Sequence, residues 1–341
     1  MTQTIHKQPK YMITAFSDES NSKEINGEIF TELKIKFEIL KILRHAEYNY
    51  SLIGQAYKNF EMSLFEVSFD IAHRDRKVSG IWWLGQQKIH ISLIALLNTM
   101  YTYLDNLGQS YIKDLKKLTT EDMGEIENQF SRSHDGRLEY RIMKVLRDRI
   151  THVPYADIHG SIDNRIEEKI PGKKNTPWRR RSTNNPAIVI DLLTKGRRLR
   201  GKYRDDIKQM KQDGYNQFDI KFMLRGYIEE VAKIHSLFRE KTESLFNDIL
   251  TTLREVEMDV LPDTKIPPSV KLIKFATENN NKECYEIGHE FHSRLKDKRR
   301  EWKSLGSEQK RYYSSAIILE DKKYPKEDPN PRKDKKLWMA K

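Results

Sequence analysis

A chain of 341 residues has room for about two domains. Its residues are 37% hydrophobic and 33% charged, and 16 Tyr, 13 Phe and 5 Trp supply the bulk for a core, which excludes an intrinsically disordered protein. The net charge is +12 and unevenly spread: residues 1–170 carry 23 Lys and Arg against 24 Asp and Glu, residues 171–341 carry 39 against 26. A basic second half suits a polyanionic partner, most simply nucleic acid, and it also fits a Lys-rich solvated surface. The single cysteine, Cys284, excludes a disulfide framework and a CxxC metal clip and fits a reducing, cytoplasmic setting.

The N-terminus, "MTQTIHKQPKYMITAF", has no apolar core of secretory length. Proline and glycine are scarce, and long stretches repeat their apolar residues at three and four, which predicts an all-α protein. The first helix is predicted over 28–72, with Gly54 as a point of interruption, and "HRDRKVSG" at 73–80 as a polar turn. The second is predicted over 82–118. It is apolar on most sides between Ile89 and Leu107, so it should be the most buried element. Its most apolar run, "ISLIALLNTM", falls short of the about 20 residues that span a bilayer.

A short acidic helix follows over 121–131, with Thr119 or Thr120 as its cap and Glu121 and Asp122 at its positive end. The next begins near Arg137, buries Leu138, Ile142, Val145, Leu146 and Ile150, and stops at His152–Val153 before Pro154. Residues 155–216 read as a proline-broken basic insertion, within which "AIVIDLL" is a short strand or a helical turn. A long helix resumes over 218–257. "LPDTKIPP" at 261–268 is a linker, and 269–341 are expected to hold two or three helices and a charged tail. The domain plan is an N-terminal segment, 1–27, a helical bundle, 28–260, and a C-terminal helical extension, 261–341.

The chemistry concentrates in "LRDRITHVPY". Asp148 and His152 lie four residues apart, on one helix face. The negative end of the helix and Asp148 both favour a protonated imidazole near neutral pH, and Asp148 can orient the ring. Arg147 offers a planar fork for a phosphate that gains charge during reaction. On an ideal helix Arg147 and His152 stand about 140° apart. They converge on one phosphate only if the helix unwinds before Pro154 or a second copy faces it. An Arg and a His suffice for metal-free RNA cleavage, because the RNA's own 2′-hydroxyl is the nucleophile. The same residues also fit ordinary helix punctuation.

"VLRDRITH" resembles the signature of the HEPN superfamily: Arg, a polar residue, a few positions, then His, at the end of a late helix in an α-helical bundle. The resemblance covers about residues 28–257. It implies a metal-independent endoribonuclease of toxin–antitoxin, anti-phage (abortive-infection) or RNA-targeting defence systems. Such an enzyme acts as a homodimer, with Arg147 and His152 of both copies in one cleft and Asp148 tuning them. It implies no cofactor, and an antitoxin or activating partner protein. One branch of the family has Tyr two residues after the His; here Tyr155 is three after, a supporting position.

The RNA backbone is expected to lie on Lys173, Lys174, Arg179, Arg180, Arg181, Arg197, Arg198 and Arg200, where Asp191 is the one acid within 171–204. Trp178 and Tyr203 lie among these cations as base-stacking candidates. Glu286, His289 and His292 fall at helical i, i+3 steps but form no HExxH, so no metal is expected there. His90 reads as a satisfied core histidine, and no P-loop, GxGxxG or nucleophile elbow appears. The alternative to a nuclease is a non-catalytic RNA- or protein-binding helical module, an antitoxin or regulatory subunit.

Overall fold

The computed structural model describes residues 10–15, 22–73, 80–152, 158–167, 178–194, 201–260, 270–275, 282–287, 289–310 and 317–321. Helix predominates, as the apolar spacing predicts. The first helix, α1, is Gly27–His73 and runs unbroken through Gly54. Asn26 caps it, its Oδ1 accepting from the Ile29 amide at 2.7 Å. The second, α2, is Gly80–Asn106. It passes through a π-helical turn, Leu107–Tyr111, into α3, Ile112–Leu118. The predicted single helix is therefore one element with a bulge of π geometry in it.

The acidic helix, α4, is Gly124–Gly136 and starts later than predicted. Asp122 caps it by accepting from the Gly124 amide at 2.8 Å, while Thr119 turns back on the preceding helix, donating to the Leu115 carbonyl at 3.0 Å. The helix bearing the motif, α5, is Leu138–His152.

The 155–216 segment is mainly a hairpin. Strand β3, Ile158–Glu167, pairs antiparallel with β4, Trp178–Val189, over ten positions from Ile158↔Ile188 to Glu167↔Arg179. "AIVIDLL" is both of the predicted forms in succession, since "AIV" ends β4 and Ile190–Thr194 is the short helix α6. Helix α7, Lys202–Gln212, follows. It starts after Gly201 at φ 59° and stops at Gly214 at φ 83°, where the Tyr215 amide donates to the Met210 carbonyl at 3.0 Å. Strand β5, Gln217–Asp219, pairs with the end of β4.

The last long helix is interrupted at Thr242 into α8, Ile220–Lys241, and α9, Glu243–Val260. Asp219 caps α8, accepting from the Lys221 amide at 2.7 Å. The backbone ladder continues across Thr242, since the Phe246 amide donates to its carbonyl at 2.9 Å. The C-terminal region differs from the helices predicted there. It holds strands β6, Val270–Phe275, and β7, Lys282–Ile287, one α-helix, α10, His289–Lys298, a 3-10 helix, Lys303–Lys310, and strand β8, Ile317–Asp321. The N-terminal segment pairs with this region. Strands β1, Lys10–Ala15, and β2, Ser22–Ile25, join β6 and β7 in an antiparallel sheet of order β2-β1-β6-β7.

The chain divides into two compact units that interleave in sequence. The first comprises Met1–Ser51, Asp105–Glu127 and His235–Trp302, and holds the β2-β1-β6-β7 sheet. Its core buries Leu40, Leu43, Tyr50, Ile112, Leu115 and Phe238. The second comprises Leu52–Leu104, Asn128–Ile234 and Lys303–Lys341, and holds the β3-β4-β5 sheet with β8 on β4.

Within the second unit α1 and α2 run antiparallel. Ser63 and Ser92 hydroxyls lie 2.9 Å apart, and Gly85 gives room to Val67, where a Cβ would come within 2.9 Å of a valine methyl. Tyr140 of α5 meets Tyr227 of α8 edge to face at 5.1 Å. These packed helices form the bundle that carries the motif.

Candidate functional site around Arg147

Arg147 and Asp148 stand near the end of α5 and are half-buried. The Arg147 guanidinium lies over the Tyr101 ring of α2, 3.6 Å from ring centroid to guanidinium carbon. Its Nη1 donates to Asp148 Oδ1 at 2.9 Å, and its Nε donates to Asn98 Oδ1 at 3.4 Å. Tyr101 and Asn98 are three residues apart on α2, so one face of that helix both stacks on the guanidinium and accepts from it. A planar fork held this way keeps one orientation.

The sequence predicts Asp148 as the group that orients His152. In the structure Asp148 Oδ1 pairs with Arg147 Nη1 at 2.9 Å. His152 is the last residue of α5, and its side chain lies outside the described residues. Because α5 stays helical through His152, the helix does not unwind between the two motif residues, and they remain about 140° apart around its axis. Val153, Pro154 and Tyr155 lie outside the described residues.

The beginning of α5 is anchored by ion pairs. Arg141 donates to both carboxylate oxygens of Asp206 on α7, at 2.6 and 2.8 Å, and to the carbonyls of His134 and Asp135. Arg137 Nε is 3.0 Å from Glu230 Oε1 on α8. Tyr203, a base-stacking candidate by sequence, is tied into this anchor. Its hydroxyl sits 3.0 Å from His134 Nε2, and the rings meet edge to face at 5.6 Å. Burial, and then the nearby Asp148 carboxylate, raise the Tyr203 pKa. Burial raises Tyr227 and Tyr140 likewise, so all three phenols stay neutral.

No family model matches this chain, and no curated protein or solved structure does either.

The expected RNA-binding cations divide into two groups. Lys173, Lys174, Arg197, Arg198 and Arg200 lie outside the described residues. Arg179, Arg180 and Arg181 are on β4, where strand register differentiates them. Arg179 is paired with Glu167 on one side and Glu320 on the other. Arg180 is paired with Ile166 and Leu319, and Arg181 with Arg165 and Ile318. Consecutive strand positions alternate between faces, so the triplet is not one basic stripe. The Arg165–Arg181 row is its most basic part.

Glu286 belongs to β7 while His289 and His292 belong to α10, so the three are not helical neighbours as the spacing predicts. Among the described residues no group of three or more His, Cys, Asp or Glu is placed to hold a metal ion, and no helix is long and apolar enough to cross a membrane. His90 corrects another expectation. It is half-buried, its Nε2 is buried with no hydrogen-bond partner among the described residues, and burial lowers its pKa.

Sequence reasoning missed a buried charge cluster in the first unit. Glu47 of α1 is 1% exposed and His235 of α8 is fully buried. Glu47 Oε2 lies 3.1 Å from His235 Nε2 and accepts from Arg239 Nη2 at 2.6 Å. Tyr50 stacks on His235 with ring centroids 3.8 Å apart. Arg299 adds a second guanidinium, 3.6 Å from Glu47, and donates to the Arg239 carbonyl at 2.7 Å. Every member is hydrogen-bonded, so the cluster is a satisfied core network. Its signal was available in sequence, since Glu47 sits on the same apolar stripe as Leu43 and Tyr50, and His235 on that of Val231 and Phe238.

Proposed function

We propose that this protein is a metal-independent endoribonuclease of HEPN type that cleaves RNA by 2′-hydroxyl attack, as a defence-system or toxin effector. Arg147 is the phosphate-binding guanidinium and His152 the general acid–base. The observation that carries this reading is the clamp on Arg147. The side chain is held by Asp148, Asn98 and Tyr101 five residues before His152, at the end of a bundle helix. A cation pre-set in one orientation stabilises developing charge without reorganising. Since α5 is regular through His152, one copy does not bring both groups to one phosphate, and the reading requires a homodimer. RNA is the substrate, and an antitoxin or activating protein is the expected restraint.

The same clamp favours a second reading. A guanidinium engaged by a carboxylate, an amide and a ring can be a structural tie in a non-catalytic RNA- or protein-binding module. RNA cleavage in EDTA by wild type, His152→Ala and Arg147→Ala separates the two. Cleavage lost in both variants supports the nuclease. Cleavage retained in His152→Ala moves the chemistry elsewhere, and no cleavage by wild type leaves the binding module.

A further inference from the structure

The first unit has a cleft that the nuclease reading does not use. One wall is α1, which supplies Glu38, Lys41, Ile42 and His45. They follow at steps of three and four residues, along one stripe of the helix. The other wall is the π-helical turn and α3, which supply Ser110, Tyr111, Asp114, Lys117 and Leu118. Both walls belong to the first unit. The cleft holds about 350 Å³, toward the lower end of the roughly 300–1,000 Å³ of small-molecule sites. A second cleft of about 320 Å³ adjoins it and shares Glu38 and Leu118. Its lining is largely apolar and aromatic, with the Tyr11 and Phe30 ring centroids 4.7 Å apart and Ile35 exposed.

The π turn marks the same place independently. The Ile112 amide reaches back five residues to the Leu107 carbonyl, where an α-helix reaches four. Such turns are rare and recur at functional sites. This one puts two hydroxyl-bearing residues, Ser110 and Tyr111, into the wall.

Charge decides the class of ligand. The cleft carries two ammonium groups, on Lys41 and Lys117, and two carboxylates, on Glu38 and Asp114. Burial, then Lys41 and Arg44, lower the His45 pKa, so its ring is a neutral polar group at pH 7. A phosphate would meet both carboxylates, whereas a balanced set suits a ligand with one charge of each sign. Asp114 is engaged already, accepting from Lys117 at 2.9 Å and from Ser110 at 3.4 Å. Glu38 and Lys41 stand 3.7 Å apart, a looser pair that a ligand can exchange. Glu38 is also where the two clefts meet.

We infer that this double cleft binds a free α-amino acid with an apolar side chain. Its ammonium group pairs with Glu38, its carboxylate with Lys41 and Lys117, and its side chain enters the cleft of Tyr11, Phe30 and Ile35. The order follows from bonding. One carbon carries all three groups, and Glu38 lies between the cleft that takes the side chain and the lysines that take the carboxylate. The site stands apart from the nuclease reading and does not depend on it.

Isothermal titration calorimetry of the full chain with L-phenylalanine tests it. The controls are phenethylamine, which lacks the carboxylate, 3-phenylpropionate, which lacks the ammonium group, and inorganic phosphate. L-Phenylalanine binds, each truncated analogue binds about tenfold more weakly or worse, and phosphate does not compete. Glu38→Gln and Lys41→Gln, on the helix surface, weaken phenylalanine about tenfold or more with unchanged circular dichroism. Should either variant lose its helical signal, Ile35→Ser takes its place. No binding of L-phenylalanine or L-leucine at millimolar concentration overturns the inference. Binding indifferent to every substitution overturns it too. 3-Phenylpropionate or phosphate binding as tightly as phenylalanine makes the cleft an anion site, which also overturns it.

Discussion

The Arg147 guanidinium rests on the Tyr101 ring at 3.6 Å, and Asn98, one turn earlier on the same helix, accepts from its Nε. The two α2 residues therefore fix the orientation of the α5 cation. If that orientation serves phosphate binding, removing the ring harms catalysis more than folding. Tyr101→Leu is expected to lower RNA cleavage roughly tenfold, the cost of about 1.4 kcal/mol of lost positioning. Arg147→Lys is expected to lower it about 100-fold or more, because an ammonium lacks the planar fork. Single-turnover cleavage measured beside a thermal melt checks both. Equal losses of melting temperature and rate would assign the clamp to stability alone.

The buried Glu47–His235–Arg239 network makes an energetic prediction. Glu47→Gln leaves two guanidinium groups, Arg239 and Arg299, buried against a neutral amide. Breaking a buried pair by removing one charge costs about 3–5 kcal/mol. Urea unfolding should show a loss of that size, and a loss below about 1 kcal/mol would mean that water reaches the cluster in the folded state.

The same network sets the acid limb of stability. Burial alone would raise the Glu47 pKa, but hydrogen bonds from His235 and Arg239 outweigh it and hold it at about 2, below its ordinary 4.5. Burial pushes His235 down to about 4 from 6.5, against the opposing pull of Glu47. Both depressed values act in one direction. The unfolded chain takes up protons that the folded chain refuses, so stability is full above about pH 6.5 and falls as His235 and then Glu47 are protonated. Melting temperature should decline from pH 6.5 to 4 and further below. His235→Gln should flatten the upper part of that decline, and an unchanged profile would place the responsible group elsewhere.

Periodicity made the helices legible. The α1 bounds Gly27–His73 lie one residue outside the predicted 28–72, because apolar residues at three and four persist along its whole length. The end of α5 before Pro154 was equally readable, since proline's missing amide and its clash with the preceding turn are local effects. The sheets were not. Strand β1 has six residues and its partner β6 lies across the sequence, Ile13 opposite Leu272. No local pattern encodes that pairing. Arg147 was identifiable as a candidate from its helix alone, but Asn98 and Tyr101 were not, because the contact joins residues 49 apart in sequence and depends on how α2 and α5 pack.

Gly85 marks where α2 comes closest to α1. A Cβ there would lie 2.9 Å from one Val67 methyl and 3.0 Å from the other. Gly85→Ala therefore gains helix propensity but overpacks the seam, at a cost of about 1–3 kcal/mol. Val67→Ala removes the opposing methyls and should recover most of the loss when combined with it. A double-mutant cycle by chemical denaturation checks this. Additive losses would show that the two helices separate without strain at this point.

If the β3–β4 hairpin binds the RNA backbone, register predicts which of its arginines matters. Arg165 and Arg181 are opposite one another in the strand register, and like charges at opposed positions are in general unfavourable without an anion beside them. Arg179 lies opposite Glu167 and Glu320 in the strand register. Arg181→Ala should therefore weaken RNA binding and reduce the slope of log affinity against log salt by about 1. Arg179→Ala should change that slope much less, although its sequence context is the same basic triplet. Fluorescence anisotropy with a labelled RNA across a salt series measures both slopes. Equal slopes for the two variants would mean that strand pairing does not decide which arginine meets phosphate, and two wild-type slopes would take β4 out of the RNA interface.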